Sequence, residues 1–393
     1  MKSRLREFGD KYLAQCESET SDADSPNFVF EITDVMNLAG FTRVFCAVFC
    51  VCAFASLAAP SSPERGPVAL RDLVSASDPL ATHDLRFDAT FAQQALDYLQ
   101  SREPALLQRM TNSAAVAHIL NHARNFDNPD VPKDSAAALL NALLGPSDKQ
   151  TERGDICRQS LAYFAGPMLA DPHWVADALR YLPADFRFHG TLFLTFGYDI
   201  GVAFGPNASL NCTHERFSRH SRELIYYAIH ELHHTGFMTY HPPPKLAEAK
   251  SCADLLRLVE YSTQLEGMAV LAAYQRRRED DALAEDPDYV ALQDDKRMQA
   301  DEASYFKDYE YLKSRGSQPA DGEAWAVNDR MSSGERLWYR VGALMAQRIE
   351  AARGRAALVD LVKQGPAQFM ATYQSLRTKD VTSRTRSESG SDD

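Results

Sequence analysis

Residues 229–236 read Ile-His-Glu-Leu-His-His-Thr-Gly, and the His230-Glu231-x-x-His234 pattern inside them constrains the chain more than any other feature. On a helix, residues four apart lie on one face about one turn apart, so both imidazoles can address a single metal ion. Glu231, beside the first histidine, can reach a water at that ion. The flanks support a helix. Ser218 or Ser221 can cap its start, Leu224, Ala228 and Leu232 give it an apolar side, and Gly236 sits where a helix would end. Six of the eleven histidines fall within residues 214–241, but only these two carry the argument. His233 points roughly 100° away from the shared face, which suits a surface or outer-shell role better than coordination.

Zinc held by two histidines needs a third protein ligand, with the fourth position left to water or substrate. A third histidine six residues after His234 is ruled out because that position holds Tyr240, and His241 is one residue out of step. Glu266, in Gln264-Leu265-Glu266-Gly267-Met268-Ala269, is the better candidate. It lines up with Leu255, Val259, Val270 and Ala273 on the apolar stripe of a helix. A carboxylate there must be paired, protonated or metal-bound, because burying it alone is very costly. Glu260 lies about 120° round the same helix and Glu248 precedes it, so both are weaker. With His230, His234 and Glu266 holding Zn2+, Glu231 is placed as general base toward water attacking a carbonyl. The developing oxyanion needs a donor. Tyr339 is the choice, with Tyr240, His241 and Tyr261 as rivals.

Two other patterns compete. His118 and His122 are also four apart, but Ile119 stands where a base would be, so they read as ordinary helix histidines. Glu231-x-x-His234 is half of a di-iron carboxylate pattern, and the chain has no second Glu-x-x-His to complete it. The Asn207 and Asn211 triplets match a glycosylation acceptor, a common chance pattern.

Composition narrows the partners. The 393 residues carry 42 Lys and Arg against 54 Asp and Glu, a net charge of -12, so nucleic acid is not an expected partner. Residues 36–58 have the order of a secretory signal: Met36, Arg43, an apolar run from Val44, then small residues Ser56 and Ala58 before Ala59-Pro60. Cleavage after Ala58 is expected, with Met36 as the natural start and residues 1–35 as a leader. The apolar run is short for a span, so no stable membrane segment is expected after cleavage, and the product should be secreted or periplasmic. Uncleaved, the run would act as a short anchor. Removing residues 1–58 takes five basic and eight acidic residues with it and leaves Cys157, Cys212 and Cys252. Three cysteines permit at most one intrachain disulfide, and they are neutral on export.

Residues 59–85 are rich in Pro and Ser and read as a linker, and residues 378–393 as a polar, disordered tail. Residues 86–377 between them read as one domain. Its apolar spacings predict helices over 91–102, 104–124, 134–144 and 173–182, then longer ones over 216–235, 251–279, 286–314 and 335–352, with two shorter ones to 376. Residues 187–196 alternate as a half-buried strand and 208–212 form a second, so a small sheet precedes the motif helix. The fold class is α+β, predominantly helical.

His230 to His234, Glu266-Gly267-Met268-Ala269 and Tyr339-Arg340-Val341-Gly342 together resemble the uncharacterised bacterial zinc-dependent peptidases, gluzincin-like domains of unknown function. Gly354-Arg355, Phe369 and Tyr373 fit the closing elements of that pattern, and the likeness spans roughly residues 185–376. The resemblance implies a zincin-like metallopeptidase domain, zinc on His230, His234 and Glu266, and Glu231 as base. One departure is Val270, where many gluzincins carry an acidic residue that supports the zinc histidines. The reading is an exported zinc metallopeptidase acting on a peptide or protein. A non-catalytic zinc-stabilised envelope domain and a zinc hydrolase of another amide or ester are the alternatives.

Overall fold

The computed structural model describes residues 66–388 except 127, 129 and 130. The leader, the signal with its cleavage site, and the start of the linker lie outside these residues. A five-stranded mixed sheet in the order β1-β2-β3-β5-β4 forms from β1 (Val68–Ala69), β2 (Arg86–Asp88), β3 (Thr191–Thr195), β4 (Gly201–Phe204) and β5 (Asn207–Asn211). β2, β3 and β5 run parallel, with Phe87 opposite Leu192 and Leu194 opposite Leu210, while β1 and β4 are antiparallel to their neighbours. Helices dominate the remainder, so the mostly helical α+β expectation holds.

The expected linker over 59–85 needs correction. From Val68 on it is part of the fold: β1 pairs β2, and Leu70, Leu80 and Leu85 are buried. Its Pro and Ser residues shape tight turns around those three leucines, and burial of each apolar side chain favours order over a free linker by about 1.5–3 kcal/mol. The expected strand also differs. Leu192, Phe193, Leu194 and Thr195 are all buried, because β3 is a central parallel strand covered on both faces.

Ahead of the motif helix come α1 (Thr90–Ser101), α2 (Pro104–Thr111), α3 (Ala114–Asn125), α4 (Ala136–Leu144), α5 (Gln150–Tyr163) and α6 (Val175–Leu179). The predicted 104–124 helix is two, because Ser113 takes a bond from the Val116 amide and caps a new start. α5 was not predicted, since its polar sequence shows no clear stripe. Cys157 on α5 is disulfide-bonded to Cys212 at the end of β5, and Cys252 is free and buried.

Beyond the sheet lie α7 (Glu215–Arg219), α8 (Glu223–Tyr240), α9 (Cys252–Glu279), α10 (Pro287–Ala291), α11 (Asp295–Arg315), α12 (Gly322–Asp329), α13 (Leu337–Arg353), α14 (Arg355–Gln364) and α15 (Pro366–Glu388). α9 opens on a capping box in which Ser251 and Asp254 each accept from the other's backbone amide. α15 runs to Glu388, so the expected disordered tail is helical over residues 378–388. Those residues contain neither Gly nor Pro, and nothing in them stops a helix already held by buried Phe369 and Tyr373. Among the described residues, no helix is long and apolar enough to cross a membrane.

Candidate active site

α8 is buried on almost every side, packed between α6, α9 and the β4–β5 edge of the sheet. Gly236 does not end it: the helix runs four residues further, and a Cβ on Gly236 would sit 2.2 Å from a Leu182 methyl. The glycine serves a close approach to Leu182. His230 and His234 project from one face, and their Nε2 atoms lie 3.0 and 3.1 Å from the same Glu266 oxygen, Oε2, on α9. One donor atom from each of the three residues falls within 4.8 Å of the others.

These residues fit zinc. Tetrahedral ligands at about 2.0–2.1 Å from the ion stand about 3.3 Å apart, close to the observed separations. Two imidazoles and one carboxylate are a zinc donor set, and their side chains are 14, 7 and 16% exposed for His230, His234 and Glu266. The opposite edge of His234, Nδ1, is buried with no hydrogen-bond partner among the described residues. Val270, at the position noted for its missing carboxylate, is buried and apolar, so it does not supply one.

The electrostatics follow from enclosure. Burial pushes the Glu266 carboxyl up, but His234 and His230 together outweigh it and hold the group well below the usual carboxylate range. Burial and the nearby His234 lower His230, while for His234 the Glu266 charge outweighs burial and raises it. Glu231 is 5% exposed and pushed up to about 8, first by burial and then by Glu266 and Asp199. Strand β4 lies directly against it: a Cβ on Gly201 would be 2.8 Å from Glu231 Oε1. The turn ahead of β4 is held by Asn211, whose Oδ1 accepts from the Gly197 amide at 2.8 Å and whose Nδ2 donates to the Tyr198 carbonyl at 3.2 Å.

Glu266 is placed by a helix crossing. A Cβ on Gly267 would lie 2.2 Å from the Gly342 carbonyl carbon, and one on Gly342 would lie 2.3 Å from the Thr263 oxygen. α9 and α13 therefore touch backbone to backbone, which only glycine on both helices permits. The crossing sets Glu266, one residue before Gly267, beside Tyr339, three before Gly342. The Tyr339 ring stacks near His230 with centroids 6.5 Å apart and planes 17° apart. Burial, then Glu266, raise its hydroxyl, so it stays protonated as a donor.

The rival donors are engaged elsewhere. His241 Nε2 donates to the Val362 carbonyl at 2.7 Å, and the Tyr261 hydroxyl donates to the His241 carbonyl at 3.1 Å. Tyr240 is raised by burial and by Asp185. Glu260 accepts from the Tyr309 hydroxyl at 2.7 Å and Glu248 pairs with Lys245 at 2.9 Å, so neither joins the histidines. His233 corrects an expectation: it is fully buried rather than at a surface, because the side of α8 it occupies is covered too. Burial holds it neutral, well below its ordinary value.

Two neighbours escaped the sequence reading. His122, read as an ordinary helix histidine, has a defined partner. Its Nδ1 is 2.7 Å from the Tyr198 hydroxyl, and it is lowered to about 3 by burial, His118 and then His234, which places it near the site. Arg336 lies over the Tyr339 ring, its guanidinium carbon 3.8 Å from the centroid. The His118/His122 spacing could have flagged the first, but nothing in sequence marked the second.

No curated protein and no solved structure matches this chain. Residues 173–382, more than half of its length, match the model of the family described as putative zinc dependent peptidase (DUF5700), and that span contains both histidines, Glu231, Glu266 and Tyr339. The chain belongs to this zinc-dependent family.

Proposed function

We propose that the protein is an exported zinc metallopeptidase of gluzincin type in a zincin-like fold, with His230, His234 and Glu266 as metal ligands. The observation that carries this reading is the convergence of two imidazole Nε2 atoms on one Glu266 oxygen, with Glu231 on the same helix and enclosed beside them. When bound, zinc supplies Lewis acidity toward a water and the scissile carbonyl. Glu231 accepts the proton of the attacking water and returns it to the departing amine. Its raised affinity for protons in this enclosed position suits a group that must both take and give one. Tyr339, protonated and beside His230, donates to the oxygen on which charge develops.

Export is supported by the Cys157–Cys212 disulfide, since such bonds persist mainly in oxidising compartments. The catalytic reading is tested by zinc-loaded Glu231→Gln protein on a broad peptide library. Hydrolysis should fall by about 10²–10⁴-fold with zinc retained, the usual contribution of a general base. Undiminished hydrolysis would remove Glu231 from the mechanism. Zinc binding by a wild-type protein that cleaves no peptide, ester or other amide would instead favour a non-catalytic zinc domain.

A further inference from the structure

Arg336 stands out as one of two arginines that share a single buried carboxylate, Asp288. It has a left-handed backbone, φ 51°, at the start of α13, just after the π-turn over Arg330–Gly334. A non-glycine residue in that region is strained, and such strain persists where the surroundings fix it. Arg336 Nε donates to Asp288 Oδ2 at 2.8 Å, but the other oxygen of this buried carboxylate already accepts from Arg340 Nε at 2.8 Å. Arg340 also faces Asp301 at 3.7 Å, and Asp301 faces Arg297 at 4.0 Å. The series alternates Arg297, Asp301, Arg340, Asp288, Arg336, with three positive charges to two negative ones. At the Arg336 end, one carboxylate, Asp288, is shared by two guanidiniums, Arg336 and Arg340.

Arg336 is linked to the histidine site through Tyr339, whose ring stacks near His230. The Arg336 side chain is 42% exposed against 10% for Arg340. The Tyr339 ring lies against the guanidinium, 3.8 Å from its central carbon to the ring centroid. From His230 to Tyr339 to Arg336 is two ring-sized steps, no more than about three residues of extended peptide. A partly exposed guanidinium at that distance suits a substrate carboxylate, which guanidinium groups bind bidentately.

We propose that Arg336 anchors a carboxylate of the substrate within about three residues of the scissile bond. This rests on the peptidase reading above and narrows it to peptides carrying either a free C-terminal carboxylate or an acidic side chain near the cut. Both sources present the same planar anion, and they are separable by experiment.

The probes are a tetrapeptide library as free acids and the same library as C-terminal amides, with a doubly capped hexapeptide library holding either Glu or Gln at one position. Binding of each to zinc-loaded Glu231→Gln protein and cleavage of each by wild type are measured together. One carboxylate member should be preferred about ten- to hundredfold, the scale of a charge-assisted pair. That preference should collapse in Arg336→Gln and return in part in Arg336→Lys, with zinc content and melting temperature showing that both variants are folded. Preference for free acids points to the chain terminus, and preference for Glu over Gln to a side chain. Equal handling within both pairs, or a preference that survives Arg336→Gln, overturns the proposal. Should wild type cleave nothing while the Arg336-dependent binding preference stands, the peptidase reading fails and the carboxylate site remains.

Discussion

Replacing Gly267 by alanine tests whether the α9–α13 crossing positions the metal site. The added Cβ would meet the Gly342 carbonyl carbon at 2.2 Å, the Gly342 Cα at 2.5 Å and the Ala343 nitrogen at 2.7 Å. All three are backbone atoms, so no side chain can turn aside, and restoring ordinary contact requires the helices to part by about 1 Å. Overpacking of this kind costs about 1–3 kcal/mol. At roughly 2–4 °C per kcal/mol for a domain of this size, the melting temperature should drop by about 2–12 °C. The same movement carries Glu266, the preceding residue, beyond the ±0.2 Å or so that metal–ligand distances tolerate, so zinc affinity should fall by at least about tenfold. Thermal melts and competition against a chelator measure both. Gly322→Ala is the control, since a Cβ there has nothing within 4 Å and the residue opens a helix. A Gly267→Ala protein that melts and binds zinc like wild type would show that the crossing does not position Glu266.

Three further outcomes follow from features around the site. Glu223 and Arg277 form a buried two-bond pair, at 2.5 and 2.7 Å with side chains 0 and 2% exposed, and Arg277 also lies over Tyr226 and Tyr289. Glu223→Gln leaves that charge without its main partner and should cost about 3 kcal/mol in denaturant unfolding; a loss below the resolution of the measurement would refute the pairing. Asp254, in the cap of the helix bearing Glu266, is lowered to about 2 by its bonds from the Ser251 hydroxyl and the Lys250 and Ser251 amides. Because its folded value lies below its unfolded one, its stabilisation is full above about pH 4 and is lost as pH falls through about 2. Asp254→Asn should flatten stability over that window, and an unchanged acid limb would contradict the cap. Finally, a chain cut after Ala58 should show one thiol per molecule in denaturant, Cys252, and three after reduction; three before reduction would refute the disulfide.

The site was readable where its geometry is local. His230, Glu231 and His234 depend only on one helical turn, and Glu266 showed itself as a carboxylate on an apolar stripe, where burial demands a partner. Tyr339 was a weaker choice, because only the Gly267–Gly342 contact between distant helices brings it to His230. Arg336 was invisible for the same reason: the Asp288 it shares with Arg340 comes from a separate helix. The region from Val68 to Leu85 misled because three leucines spread among Pro and Ser carry no periodic signal, although each is buried. His233 misled in the opposite direction. A helix covered on all sides has no outer face, and angular position alone does not reveal the cover.

The most direct test of the account is the zinc content of the purified Glu266→Ala protein, measured beside wild type and Glu231→Gln. The account predicts one tightly bound zinc per chain in wild type and in Glu231→Gln, and its loss in Glu266→Ala. Zinc retained at full affinity without the Glu266 carboxylate would contradict the assignment of the site.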